Sequence, residues 1–425
     1  MKYQQPLDQP GNPNAPYIDG NPAAGVQGSI VPAASIEFDQ REIVEVIGRA
    51  NSRGYKDFTD TPCAAPADTD LLQLRKAIEG FIRANMPVTP DIPTDLIDAH
   101  ITFKVHGAAA DFPDLIEAYY YLSKFKITTH GQVTLQLAAG QFTYTTPVTM
   151  VHPNQDRILV LGATMKAPIP GESGFAHNGS SSGQRATDTA ANLITLRNSF
   201  ATELRFQNCT GLLISGPTPM AIDAILVSYT GTANSNTTGI VWVNAQQGAD
   251  SMQTPYQSGL ATVGFGYGMV MANNGNFQMD TPATLVTLGN ILDGLAIMSK
   301  AGIFHNGSVF SYSNGRAGIW CGHHSEFLAS NISVIANADA GVDVVQGRAQ
   351  WSGGHIYKNA SFGLRGQFSQ IYSAATDFGS GANVNSGGTI AAYWGSIICV
   401  TGSGNYLPTN PAFNTTANGG ALITG

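Results

Sequence analysis

Three aspartates recur at one place in a repeating stretch of the chain. Asp223, Asp250 and Asp280 lie 12, 11 and 12 residues past Gly211, Gly239 and Gly268. Carboxylates stacked on one face could serve acid/base cleavage of a glycan, or bind Ca²⁺ as in a lyase. The plainer alternative is a set of turn aspartates in loops of different length, since no basic residue accompanies them. Glu326, Asp339 and Asp343 form a later acidic group. His323 and His324 precede Glu326, but neighbours on a strand point to opposite faces, so no metal site is expected. No nucleophile elbow, P-loop or zinc signature is present, no cofactor is expected, and no catalytic residue can be assigned. Cys63, Cys209, Cys321 and Cys399 are too scattered for a metal or redox pair and read as reduced, mostly buried thiols. Seven Asn-x-Ser/Thr sequons, Asn178, Asn306 and Asn359 among them, read as a by-product of Asn-rich turns.

A second constellation is aromatic and amide-rich. Trp351 lies ten residues past Gly341, and Tyr372 nine past Gly363. Gln346, Arg348, Gln350, Gln367 and Gln370 surround them in sequence. Rings with amides and Arg can stack on sugar faces and bond hydroxyls. Ordinary packing of these rings, in the core or between subunits, is the alternative.

What must position these groups is a repeat. Gly211, Gly239, Gly268, Gly294, Gly318, Gly341 and Gly363 are separated by 28, 29, 26, 24, 23 and 22 residues. The next residue is always apolar: Leu212, Ile240, Met269, Leu295, Ile319, Val342, Leu364. The third position is mostly apolar too, from Ile214 and Trp242 to Cys321 and Val344. Between them lie Leu213, Val241, Val270, Ala296, Trp320, Asp343 and Arg365. The first and third positions therefore point into a core and the second points out. Asn290, Asn314, Asn337 and Asn359 each stand four residues before a marker Gly, as a recurrent left-handed corner would require. A period of 22–29 residues with about three short strands per turn indicates a parallel β-helix. The dense Leu pattern of leucine-rich repeats is missing, and propeller blades are longer.

Upstream, residues 1–35 read as an extended Pro/Gly/Asn arm. Short helices are expected near 40–50, after Asp39, and near 69–84, followed by a stiff connector at Pro87, Pro90 and Pro93. A third helix near 112–125, capped by Asp111 with Pro113 in its first turn, is placed to cap the solenoid. Strands follow at 133–137 and 158–161, and 171–189 reads as a Gly/Ser-rich loop. The expected division is 1–90 attachment arm and helices, 91–130 linker and capping helix, 131–401 β-helix, and 402–425 tail, which could pair with partner chains.

Composition agrees. The chain has 425 residues, 12% charged and 43% hydrophobic, with 48 glycines and a formal net charge of −8. This excludes a coiled coil and wholesale disorder. With no basic excess, nucleic acid is not the expected partner. No stretch of about 18 apolar residues exists to span a bilayer, and the polar start is not a secretory signal.

At this point the chain resembles bacteriophage tail fibres and tailspikes. The segment YIDGNPAAGVQGSIVPAASIE at 17–37, with QREIV at 40–44 and LQLRKAI at 72–78, resembles the region that anchors such fibres to the virion. The stretch VTLQLAAGQFT at 133–143, then His152-Pro153 and LVLG at 159–162, is similar to the first coils of pectate-lyase-like tailspike helices. The resemblance implies a right-handed parallel β-helix with a small helical and irregular amino-terminal anchor. It implies a homotrimer in the virion tail, made in the host cytoplasm, held by other tail or baseplate proteins and binding host surface glycan. The expected receptor-binding residues are Trp320, Asp343, Trp351, Arg365 and Tyr372. Some members cleave the glycan, so a polysaccharide depolymerase is one alternative; a structural tail-tip or baseplate component is another.

Overall fold

The computed structural model describes residues 95–425, apart from 180, 217–220, 245, 248–258, 280–282, 380–384, 402–419 and 425. The chain divides into two units, Met1–Ile92 and Pro93–Gly425. The arm and the helices expected near 40–50 and 69–84 lie outside the described residues, as do Asp250, Asp280 and Cys63.

The second unit is a right-handed parallel β-helix. Each coil places one strand in a long sheet of fifteen strands and one in a side sheet of nine. A four-stranded sheet, from His100–Val105 to Ala221–Asp223, accompanies the first coils. Stacking begins early, because His100–Val105 pairs along its length with Gln132–Leu137. At the other end Leu422–Thr424 pairs with Ile397–Cys399 of the same chain.

The side sheet carries the marker glycines in register. Leu212, Ile240, Met269, Leu295, Ile319, Val342 and Leu364 stack one above another and are all fully buried. The third column, from Ile214 to Val344, is equally buried. The glycines serve close approach: a Cβ on Gly318 would sit 2.3 Å from Val334 Cγ1. One further coil follows, in which Ile390 pairs with Leu364 and Thr389 stands where the earlier coils have Gly.

The asparagines form a buried ladder. The Nδ2 of Asn290 donates to Asn314 Oδ1 at 2.8 Å, Asn314 to Asn337 at 2.9 Å, Asn337 to Asn359 at 2.9 Å and Asn359 to Asn385 at 2.9 Å. Each Oδ1 also accepts the backbone N–H of the Asn one coil back. The left-handed residue is the one before each Asn: Gly289, Ser313, Ala336 and Lys358. The side-chain amide is therefore used for stacking, not for its tolerance of positive φ.

Helix α1, Leu115–Leu122, contributes Leu115, Ala118, Tyr119 and Leu122 to the solenoid core. Asp114, not Asp111, caps it, accepting from Glu117 N at 2.9 Å. Asp111 instead accepts from Lys104 N at 2.7 Å. The segment expected as a loop holds helix α2, Ser182–Ser199, capped by Ser181. Its buried side chains are Asp188, Asn192, Leu196 and Ser199. Half of that inward face is strongly polar, so no apolar period marks it in the sequence. A second hydrophobic cluster, outside the solenoid core, joins Phe175, Leu196 and Phe200 to Leu226, Val286, Phe310, Tyr312, Ile335 and Tyr357 of the long sheet.

Candidate functional site

Between the side sheet and the long sheet each coil turns through left-handed residues. In early coils these are Asn244, Asn273 and Asn274, then Ser299 and Lys300. In later coils they are His323, His324, Gln346, Phe368 and Trp394, with φ between 47° and 63°. Asn tolerates this region; bulky aromatic residues do so at a cost of order 1 kcal/mol or more. The later corner residues gain the turn nothing, so what they display is the reason to look there. Backbone bonds stack the corners: Lys300 N to His323 O at 3.1 Å, His323 N to Val345 O at 3.0 Å and Gln346 N to Gln367 O at 2.8 Å.

The display is a groove. A cavity of about 560 Å³ is lined by His324, Glu326, Gln346, Arg348, Phe368 and Gln370 with Ser325 and Gly347. It runs past Phe368 and Gln370 into a second of about 420 Å³ bordered by Trp394 and Ile397. Phe368 is 59% and Trp394 48% exposed, and their rings stack at 5.8 Å with 19° between planes. Glu326, Arg348 and Gln370 occupy one column of the long sheet, one coil apart. Arg348 Nη1 lies 3.1 Å from Glu326 Oε1.

The residues expected to bind a receptor are distributed unevenly around this groove. Tyr372 is exposed on the outward face that also carries Gln370, and its hydroxyl accepts from Thr401 Oγ1 at 2.9 Å. Trp351 is fully buried inside the solenoid, and its indole N–H donates to Thr376 Oγ1 at 2.8 Å. It lies on the inward parity of its strand, so it cannot meet a ligand. Asp343 and Arg365 pair on the side sheet: Arg365 Nη2 is 2.7 Å from Asp343 Oδ2 and 2.8 Å from Asp339 Oδ2. Asp343 is only 5% exposed, which leaves it a structural partner of Arg365. Trp320 is half-buried, edge-on to His323 at 5.5 Å. His323 and His324 sit in the corner turn and not on a strand. Phe368 and Trp394 had no repeat signal; the substitution of Asn-type corners by aromatics is the signal that finds them. Asp223 is buried and accepts the N–H groups of Ala224 at 2.7 Å and Gly259 at 2.8 Å, a turn role. No group of three or more His, Cys, Asp and Glu that could hold a metal occurs among the described residues.

A second concentration of chemistry lies elsewhere on the long sheet, under the tip of the excursion that carries α2. Asp188 of α2 accepts the N–H of Asn178 at 2.7 Å, and Asn192 bonds both the N–H and the C=O of Ala176, at 2.6 and 2.7 Å. The polar face of α2 thus clamps the backbone on either side of His177. The Tyr357 hydroxyl donates to a Glu172 carboxylate oxygen and lies 3.1 Å from His177 Nε2. His177 Nδ1 lies 2.8 Å from Phe175 O, a carbonyl that can only accept, so Nδ1 carries a hydrogen. Glu172 also lies 3.1 Å from His355 Nε2 and accepts from Ser333 Oγ at 3.5 Å. Asp377 lies 3.5 Å from His355 Nδ1, and Lys358 Nζ donates to His177 O at 2.8 Å. Burial, and next the bond to Glu172, raise the Tyr357 pKa far above the usual phenol value, so it stays a hydroxyl.

No protein-family model matches the chain, and no curated protein matches it. Among solved structures the chain is similar to the A-module of the mannuronan C-5 epimerase AlgE6 of Azotobacter vinelandii. The two share 13% identity with a TM-score of 0.34, over 73% of this chain and 88% of the other.

Proposed function

We propose that this chain is a virion-attached tail fibre or tailspike that binds an extended polysaccharide of the host surface. One observation carries the reading: the left-handed corner changes from Asn to His, Gln, Phe and Trp where it borders a groove. An exposed, stacked Phe368–Trp394 pair offers a sugar its apolar faces, while Glu326, Arg348, Gln346 and Gln370 offer its hydroxyls donors and acceptors. Coils spaced by about 4.8 Å repeat that display along the axis, which suits a linear polymer. Attachment to other tail proteins is supported by the likeness of residues 17–78 to fibre anchors, and a homotrimer belongs to the same reading. Cleavage of a host polysaccharide is a second reading, favoured by the carboxylate, imidazole and phenol grouped around Tyr357.

Phe368→Ala and Trp394→Ala should each weaken binding of host surface polysaccharide about tenfold, roughly 1.4 kcal/mol. Calorimetric titration measures this, and melting temperature should hold, since both rings are exposed. Unchanged affinity with loss of self-association would make the pair a subunit contact and overturn the reading.

A further inference from the structure

We infer that the carboxy-terminal end of the groove is a subsite for a methyl-bearing sugar, an N-acetylated or a 6-deoxy residue of the bound polymer. The inference rests on the groove reading and adds which kind of sugar sits at which end. Each coil gives the groove one corner side chain and one residue of the long-sheet column beside it. Along the axis the corner changes from His324 and Gln346 to Phe368 and Trp394. Over the same coils the column changes from Glu326 and Arg348, through Gln370, to Ile397. Both gradients run the same way, so one half of the groove is polar and the other apolar. Four rungs at about 4.8 Å span about 14 Å, room for a short run of sugars whose ends meet different chemistry.

The apolar end offers a sugar few hydrogen-bond partners. Ile397 is 47% exposed, and Leu422, next in the column, 52%. Ser369 borders the cavity there but is buried, its Oγ donating to Ser396 Oγ at 3.4 Å. Gln370 is the exposed polar side chain at this end. A ring with a hydroxyl on every carbon would give up water from groups that one amide cannot replace. A methyl group loses nothing of the kind and gains by leaving water for Ile397 and the aromatic rings. Among the described residues no charged side chain borders this cavity, so a sugar carboxylate or ammonium would find no counter-ion in it.

The backbone is opened at the same place. In the three earlier rungs a single residue separates corner from column: Ser325, Gly347 and Ser369. In the last rung Gly395 and Ser396 both intervene, so the turn is one residue longer. Gly395 has φ +73°, a conformation that glycine adopts freely, and a Cβ there would meet nothing within 4 Å. The space beside Trp394 and Ile397, about 420 Å³, takes one sugar ring with its substituent.

The test uses the full chain labelled with 5-fluorotryptophan. Of the four Trp residues, Trp242 and Trp351 are fully buried and Trp320 half-buried. The exposed Trp394 therefore reports the subsite by fluorine NMR, its signal assigned with Trp394→Phe. Three pairs of sugars are titrated: N-acetylglucosamine against glucose, L-rhamnose against L-mannose, and L-fucose against L-galactose. Within a pair, one member carries a methyl group where the other has only hydroxyls. The Trp394 signal should respond to the methyl-bearing member of at least one pair with a Kd at least about tenfold below that of its counterpart. Preference in the first pair alone assigns an N-acetylated sugar; preference in the other two assigns a 6-deoxy sugar. Ile397→Gln should bring that ratio close to one and leave the melting temperature unchanged, since the side chain is exposed. Equal response within every pair, or no response to any sugar, while Trp394→Ala still weakens binding of host polysaccharide, would overturn the methyl subsite and leave the groove standing. Host polysaccharide binding that ignores both Phe368→Ala and Trp394→Ala would overturn the groove and this subsite with it. If Ile397→Gln keeps the methyl preference and loses self-association, the apolar end is a subunit contact and the inference fails.

Discussion

At the scale of single residues, burial decides more than identity. His305 lies on the strand Gly302–Tyr312, 2% exposed, with Nε2 3.3 Å from Ser308 O. Burial lowers its pKa to about 4, and burial likewise lowers His106 and His152. These imidazoles are neutral when folded and take up a proton when unfolded once the pH is below the ordinary value near 6.5. The unfolded chain then binds more protons, so stability falls as pH drops from about 6.5 toward 4. His305 alone should contribute up to about 3 kcal/mol of that loss. Urea unfolding of His305→Leu at stepped pH should give a shallower decline than the parent chain. Equal slopes would mean that His305 is already charged when folded. Residue parity was read correctly in the side sheet, where Val342 is fully buried. It was read too simply for Asp343, whose outward carboxylate is covered by Arg365 and so is not a neutral surface position.

At the scale of elements, the ladder does what charged side chains do in other folds. Asn337 Oδ1 accepts both the N–H and the Nδ2 of Asn314, and its own Nδ2 donates to Ser311 O and Asn359 Oδ1. Asn337→Ala strands the Asn314 N–H and one Asn359 acceptor away from water. Each such orphan costs about 1–3 kcal/mol, so the variant should lose several kcal/mol. Asn385→Ala, at the last rung, strands the Asn359 N–H in the same way and takes a donor from Ile356 O and Phe378 O, so it should lose as much. Thermal melts decide it, and a clearly smaller loss at the last rung would show that the rungs depend on position. The ladder also marks what could be read from sequence. Spacing from Gly gave the first four rungs; the fifth escaped because Thr389 replaces the marker glycine. α2 escaped for another reason: its buried Asp188 and Asn192 bond backbone at 176–178 and leave no apolar stripe. The cluster around Tyr357 was equally invisible. Glu172 and His177 are about 180 residues from Tyr357 and meet it only because α2 folds the excursion onto the sheet.

At the scale of the whole molecule, the open question is what covers the outward row of the side sheet. Leu213 and Val241 are half-buried, while Val270 is 9% exposed and Ala296 fully buried within one chain. The chain's own atoms therefore already cover Val270 and Ala296. Leu213 and Val241 remain the aliphatic pair available to a second copy. They are adjacent, since Val241 pairs with Leu213 in the sheet. If the proposed homotrimer packs through this face, its contact is centred on these two coils. Val270→Glu is a poor probe, because burying an unpaired carboxylate costs several kcal/mol and would damage the fold itself. Leu213→Glu with Val241→Glu places the charges where water still reaches, so the fold should survive while apolar contact between copies is lost. Light scattering should then report monomers whose melt no longer depends on protein concentration. A double variant that stays trimeric, with an unchanged melt, would move the interface to another face of the solenoid.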